Sequence, residues 1–398
     1  MQAGTRSAPG GAMSLVWLLL VLAGCGGKKS AENPPALVED VPVKWETKEW
    51  PVTRGGVGLT GRVHDRVLRR PEVEWSFSVK GAVSSEAAVG QGVIVFGDDE
   101  GVIHALDIQN RKERWRVETK DAAEATPAIS QGRVFAGSND GWFRALDLTN
   151  GNVLWQVKGG EKFPTGGVVV PGADGDQVLV NGYDGVSRCL RAVDGSQVWA
   201  HETGDYINGS PAILDNGMVV FGGCDAVIHG ISIKGGSAMR QQKTDAQVIR
   251  SVAGWKGTVY AVTYANQLVA ADITGDKPLW FFENDGNQFL TSPAVDEGNV
   301  YAGSRDKHLH AVDRVTGKPL WKFQTGGRVE SAPLVFDDAV VFGSGDGRLY
   351  AVDKKDGHEI WRLDLGEGLP NAPAFAAGRI VIGGGQGTLF VIREGGSP

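Results

Sequence analysis

Seven tryptophans, Trp75, Trp115, Trp155, Trp199, Trp280, Trp321 and Trp361, recur at intervals of about 40 residues. The wide gap between Trp199 and Trp280 holds two units, with Arg240 standing where a tryptophan is due. Trp115, Trp155, Trp280, Trp321 and Trp361 each follow an Ala-x-Asp step at a constant spacing: Ala105 and Asp107, Ala145 and Asp147, Ala270 and Asp272, Ala311 and Asp313, Ala351 and Asp353. A glycine such as Gly151, Gly317 or Gly357 falls between the Asp and the Trp. Upstream lie apolar runs such as Val300–Gly303 and Val340–Gly343, and before those a strand opened by proline, as at Pro293 and Pro333. Each unit therefore reads as four short strands joined by polar, glycine-bearing turns.

A four-stranded unit cannot bury both its faces alone, so units must stack, and the stack must close. The alanine lets an inner strand approach the neighbouring unit, the aspartate accepts backbone hydrogen bonds in its turn, and the glycine supplies a positive φ. The indole then fills the gap between units. Closure is visible at the ends. The last unit stops at Thr388–Arg393 with no Trp strand, while the first strand, Val73–Val79, carries Trp75 with no Ala-x-Asp before it. The expected fold is all-β: a single eight-bladed β-propeller of four-stranded antiparallel blades over residues 73–398, closed by the N-terminal strand. Residues 45–72 read as an N-terminal extension.

Two units depart from the pattern. Cys189 and Arg191 replace Ala and Asp in the third, and Gly230 and Ser232 do so in the fourth. Drift tolerated by a redundant ring explains this, and so does a side of the ring reserved for a partner. Cys189 and Cys224 are expected to behave as small buried hydrophobes, although an oxidising compartment would permit a disulfide between neighbouring blades.

The N-terminus reads as an address. Leu15–Leu22 is apolar but too short to span a bilayer, and it leads into Leu22-Ala23-Gly24-Cys25. That ending resembles the lipobox of bacterial lipoproteins, which implies a signal peptide over residues 1–24 and acylation of Cys25, whether translation starts at Met1 or Met13. Residues 25–44, with Pro34-Pro35, read as a flexible tether. Gly26 rather than Asp after the cysteine points to the outer membrane, facing the periplasm. A net charge of −7 argues against nucleic acid as a partner.

The Ala-x-Asp-x-x-Thr-Gly-x-x-x-Trp unit resembles the tryptophan-docking repeat of the quinoprotein alcohol dehydrogenase superfamily, over residues 75–398. The resemblance implies the propeller but not its chemistry. There is no adjacent cysteine pair and no haem-attachment motif, and the chain lacks the insertions that build a cofactor chamber. A lipobox followed by a bare ring of this size resembles the BamB family of lipoproteins of the outer-membrane β-barrel assembly machinery, with Leu290–Gly303 especially similar. That resemblance implies a non-catalytic, monomeric scaffold, without cofactor or metal, that binds the barrel insertase and unfolded barrel substrates. Its partner loops would fall here on Asp205, Tyr206, Ile207 and Asn208 and on Gln247, Val248, Ile249 and Arg250. Tyr206, Ile207 and Arg250 are the expected exposed anchors. The alternatives are an envelope lipoprotein with an unrelated partner and a minimal quinone-dependent dehydrogenase.

Other candidates are weaker. His104, His229 and the pair His308 and His310 are spread over three units without the spacing of a metal site, although His308 and His310 share one strand face and could bind a metal. Asp174 with Asp176, and Asp98 with Asp99 and Glu100, read as hairpin turns lacking the ligands of a calcium loop.

Overall fold

A computed structural model describes residues 49–396, apart from Ala173, Thr274, Asp276 and Lys277. The expected signal peptide and tether, with Cys25, lie outside the described residues. The strands form eight four-stranded antiparallel sheets. Blades 1 to 7 are continuous in sequence, at residues 88–118, 128–158, 168–202, 212–243, 253–283, 294–324 and 334–364. Blade 8 combines the strands of residues 374–394 with the strand Pro71–Ser78, which pairs with Thr388–Glu394 and sets Trp75 opposite Val391. The chain ends therefore share one sheet, as the sequence implies, and closure begins two residues earlier than Val73.

Burial follows position within the blade. Second strands such as Val93–Gly97 are buried throughout, whereas fourth strands such as Lys112–Glu118 alternate, one face against the next blade and one in water. The Ala-x-Asp strand is third from the axis, not innermost, and the short strand opened by proline lines the channel. The alanine faces the tryptophan across the ladder, as in Ala105 opposite Trp115 and Ala351 opposite Trp361, and a bulge follows it. A small residue there leaves room for the indole.

Five of the indoles donate across to the next blade. Trp115 donates to the carbonyl oxygen of Leu148 at 2.8 Å, Trp199 to that of Ile233 at 2.8 Å and Trp321 to that of Lys354 at 3.1 Å. The turn glycine of the next blade lies against the ring face. A Cβ on Gly317 would stand 2.6 Å from Trp280, and its φ is +69°. Glycine is required twice over, for its backbone conformation and for the close approach. Trp361 has no further Ala-x-Asp turn to meet and donates instead to Leu68 of the N-terminal extension.

That extension also threads the channel. Trp50 bridges Val89 of blade 1, and the carbonyl oxygens of Pro51, Val57, Gly58, Thr60 and Gly61 accept from Ile129, Ile213, Gly254, Val295 and Val335. The inward edges of the innermost strands in blades 1, 2, 4, 5, 6 and 7 are thereby paired. Their amides would otherwise face a narrow channel without protein partners.

Candidate functional site

Antiparallel blades place two kinds of loop at one end of the ring: the connections between blades and the hairpins between second and third strands. At this end Tyr183, from the blade 3 hairpin, stacks on Tyr206, from the next connection, with centroids 4.3 Å apart and planes 8° from parallel. The ammonium of Lys162 stands 4.7 Å over Tyr183. Tyr264 of blade 5 joins the group, and its amide donates to the carbonyl oxygen of Gln247 at 3.0 Å. Burial, then Cys224, Tyr206, Tyr264 and Asp205 nearby, push the Tyr183 phenol above its usual range. Tyr206 and Tyr264 are 43% and 56% exposed, large for aromatic rings, and make a rim of apolar surface tipped with hydroxyls.

The two loops read from the sequence both reach this rim, but not with all their residues. Asp205, Tyr206, Gln247 and Arg250 are exposed, while Asn208 and Ile249 are half-buried. Ile207 and Val248 are buried and cannot anchor a partner, which corrects the expectation for Ile207. They bridge Gly223 and Thr263 and fill the place that Val83, Phe163 and Phe289 fill in other connections. A Cβ on Gly222 would stand 2.7 Å from Val248, just as one on Gly137 would meet Phe163 at 2.7 Å. These side chains pin one blade to the next. Asn208 supports the loop, donating from Nδ2 to the Val248 carbonyl oxygen and to Cys224 Sγ, both at 3.1 Å.

Inside the rim the channel holds a cavity of about 160 Å³, with Thr126, Thr165, Ser210, Ser251 and Ser292 on its walls and Asn208 and Arg250 beside them. Thr53 and Arg54 of the threaded extension also line it. Glu86, buried, accepts from Trp50 Nε1 at 2.8 Å, from the Thr53 hydroxyl at 3.0 Å and from the Arg54 amide at 3.0 Å. Burial pushes Glu86 above the usual carboxylate range, against the pull of the Arg54 guanidinium. Arg54 donates from Nη2 to the Pro333 carbonyl oxygen at 2.7 Å and adopts a left-handed backbone, φ 55°. The pair is not legible in the sequence, because Arg54 lies outside the repeat and Glu86 takes a repeat position that carries Thr126, Ser292, Ala332 and Ala372 in other blades.

Cys189 and Cys224 are free thiols. Burial raises the Cys189 thiol to about 12. Asp98 is buried and accepts from the Val102 amide at 2.7 Å within its own hairpin, while Asp176 accepts from the Ser130 hydroxyl of the preceding blade at 2.8 Å.

A closed ring of eight sheets, seven of them carrying a docking tryptophan, with an aromatic rim over a small axial cavity, defines the class: a propeller built from quinoprotein-like repeats. The family described as outer membrane protein assembly factor BamB matches residues 62–205, 183–288 and 274–397, and the chain belongs to that family. Among solved structures, BamB from Moraxella catarrhalis is 19% identical, with a TM-score of 0.67 over 81% of this chain and 97% of its own. A europium-containing methanol dehydrogenase is 14% identical, with a TM-score of 0.74 over 87% of this chain and 98% of its own. The quinohemoprotein alcohol dehydrogenase of Comamonas testosteroni is 14% identical, with a TM-score of 0.72 over 88% of this chain and 81% of its own. At such identities these likenesses concern the fold alone. No curated protein sequence matches the chain significantly. The axial cavity, about 160 Å³, is smaller than the roughly 300–1,000 Å³ usual for small-molecule sites.

Proposed function

We propose that the chain is a non-catalytic docking scaffold of the outer membrane, held on the periplasmic side by acyl chains on Cys25 and assisting assembly of β-barrel proteins. The family supports the assignment to assembly, and the aromatic rim supports a protein partner. The barrel insertase docks through its periplasmic part on Tyr206, Tyr183 and Tyr264, with Asp205, Asn208, Gln247, Ile249 and Arg250 around them. Rigid amphipathic rings and one arginine are the side chains that concentrate binding energy at interfaces. The single observation that carries this reading is the exposed Tyr206 ring stacked on the half-buried Tyr183, a costly arrangement to leave facing water without a use.

The test is co-purification after mild extraction of membranes. The insertase is expected to accompany the native chain and to be lost with Tyr183→Ala/Tyr206→Ala. Retention by the double variant, or absence of the insertase from both samples, overturns the reading. Adding a quinone cofactor with calcium tests the catalytic alternative. Neither a rise in melting temperature nor dye reduction is expected, and either one would contradict a non-catalytic role.

A further inference from the structure

In five blades the carboxylate at the tip of the hairpin between second and third strands binds the side chain four residues on. The pairs are Asp140–Arg144, Asp184–Arg188, Asp225–His229, Asp306–His310 and Asp346–Tyr350. The pair is part of the fold, and on its own says nothing of a ligand. Blade 6 alone adds something. Two residues after its aspartate stands His308, where the other four blades carry Trp142, Val186, Val227 and Arg348. None of those offers a neutral nitrogen to a cation. Alternate residues of a strand share a face, so His308 and His310 point the same way.

The three groups converge. His310 Nε2 lies 2.8 Å from Asp306 Oδ2, His308 Nδ1 lies 3.5 Å from the same oxygen, and one ligand atom from each residue falls within 4.8 Å of the others. Zinc bonds of about 2.0–2.1 Å in a tetrahedral arrangement place neighbouring ligand atoms about 3.3 Å apart. A small closure of His308 therefore completes one face of a tetrahedron. His310 is buried, and Phe282 and Phe289 pack against its ring at centroid distances of 6.0 and 5.5 Å, which fixes one ligand in advance. Closure has a cost: His308 Nδ1 now hydrogen-bonds the Asp306 carbonyl oxygen at 2.8 Å and would exchange that bond for the metal. Lys322 stands opposite His310 in the ladder, but it is exposed and free to turn towards water.

We propose that Asp306, His308 and His310 form a binding site for one divalent transition cation, zinc being the ion that best suits two imidazoles and a carboxylate. The fourth position faces out of the hairpin and belongs to water. Calcium does not suit the site, because it takes six to eight oxygen ligands. From the sequence His308 and His310 share a strand face but show no metal-ligand spacing; the third group, Asp306, joins them through the fold of the hairpin.

The test is calorimetric titration of zinc chloride into the metal-stripped, untagged full chain. One equivalent is expected to bind, with affinity reduced more than about tenfold in His308→Ala, an interval of roughly 1.4 kcal/mol. His308 lies outside the structural pair, so this variant keeps the fold, and an unchanged melting temperature verifies that. His229→Gln is expected to bind zinc as the native chain does. No saturable binding, equal binding by His308→Ala, or displacement of zinc by equimolar calcium overturns the proposal.

Discussion

Trp155 donates its indole N–H to the carbonyl oxygen of Ala192 in the following blade at 3.0 Å, and Gly195 of that blade lies against its ring. A Cβ on Gly195 would stand 2.6 Å from the ring, on a backbone with φ +73°. Gly195→Ala is therefore expected to destabilise by overpacking and strain together, about 2–4 kcal/mol. Trp155→Ala, which opens a cavity between blades, should cost about 3–5 kcal/mol. Denaturant unfolding of both variants checks this. Because they damage the same contact, the double variant should cost less than the sum.

The threaded extension makes a second prediction. Removing Glu86 strands the buried Arg54 charge together with the Trp50 and Thr53 donors. Glu86→Ala should cost about 3–5 kcal/mol, and Arg54→Met/Glu86→Ala should recover part of that loss. Equal loss in the single and double variants would show that the charge pair does not hold the extension in place.

Acid should weaken the ring in a definite window. Burial alone would raise Asp140, Asp184 and Asp225. Hydrogen bonds from Arg144, Arg188 and His229, with backbone amides, outweigh it and hold all three carboxyls below the ordinary range. A depressed folded-state value means that this stability is full above the unfolded value near ~3.9 and is lost as pH falls through the folded one. Unfolding midpoints should drop steeply below about pH 4. Asp140→Asn should lower stability at neutral pH and make the acid slope shallower.

Thiol chemistry gives a further check. With its thiol raised to about 12 by burial, Cys189 should resist alkylation in the folded chain and react only on unfolding. Mass spectrometry after a brief iodoacetamide pulse reads this directly. Rapid modification of Cys189 in native buffer would contradict the packing of Trp199 against its strand.

What the sequence revealed and what it concealed have physical reasons. Blade number and closure were legible because the repeat fixes both: a Trp in every blade but the fourth, where Arg240 keeps the spacing, and a lone Trp75 strand waiting for the strand at Thr388–Glu394. The second duty of the turn glycines was not, since close approach to an indole in another blade leaves no local pattern. The threading of residues 50–61 was equally hidden, because it is made by backbone hydrogen bonds to strand edges. Ile207 read as an exposed anchor and Val248 as a partner-loop residue, yet both are pins of the blade connections, which only alignment of every connection would betray. Tyr206 was visible, whereas Tyr183 and Tyr264 come from other hairpins and meet it only in three dimensions.

The claim on which the account turns is that the tyrosine rim is where the barrel insertase binds. It is tested most directly by the affinity of the insertase's purified periplasmic part for the native chain and for Tyr183→Ala/Tyr206→Ala, with both proteins shown to be folded. The account predicts a loss of at least about 2 kcal/mol, roughly thirtyfold, as expected of central aromatic anchors. Equal affinity for the two proteins would contradict it.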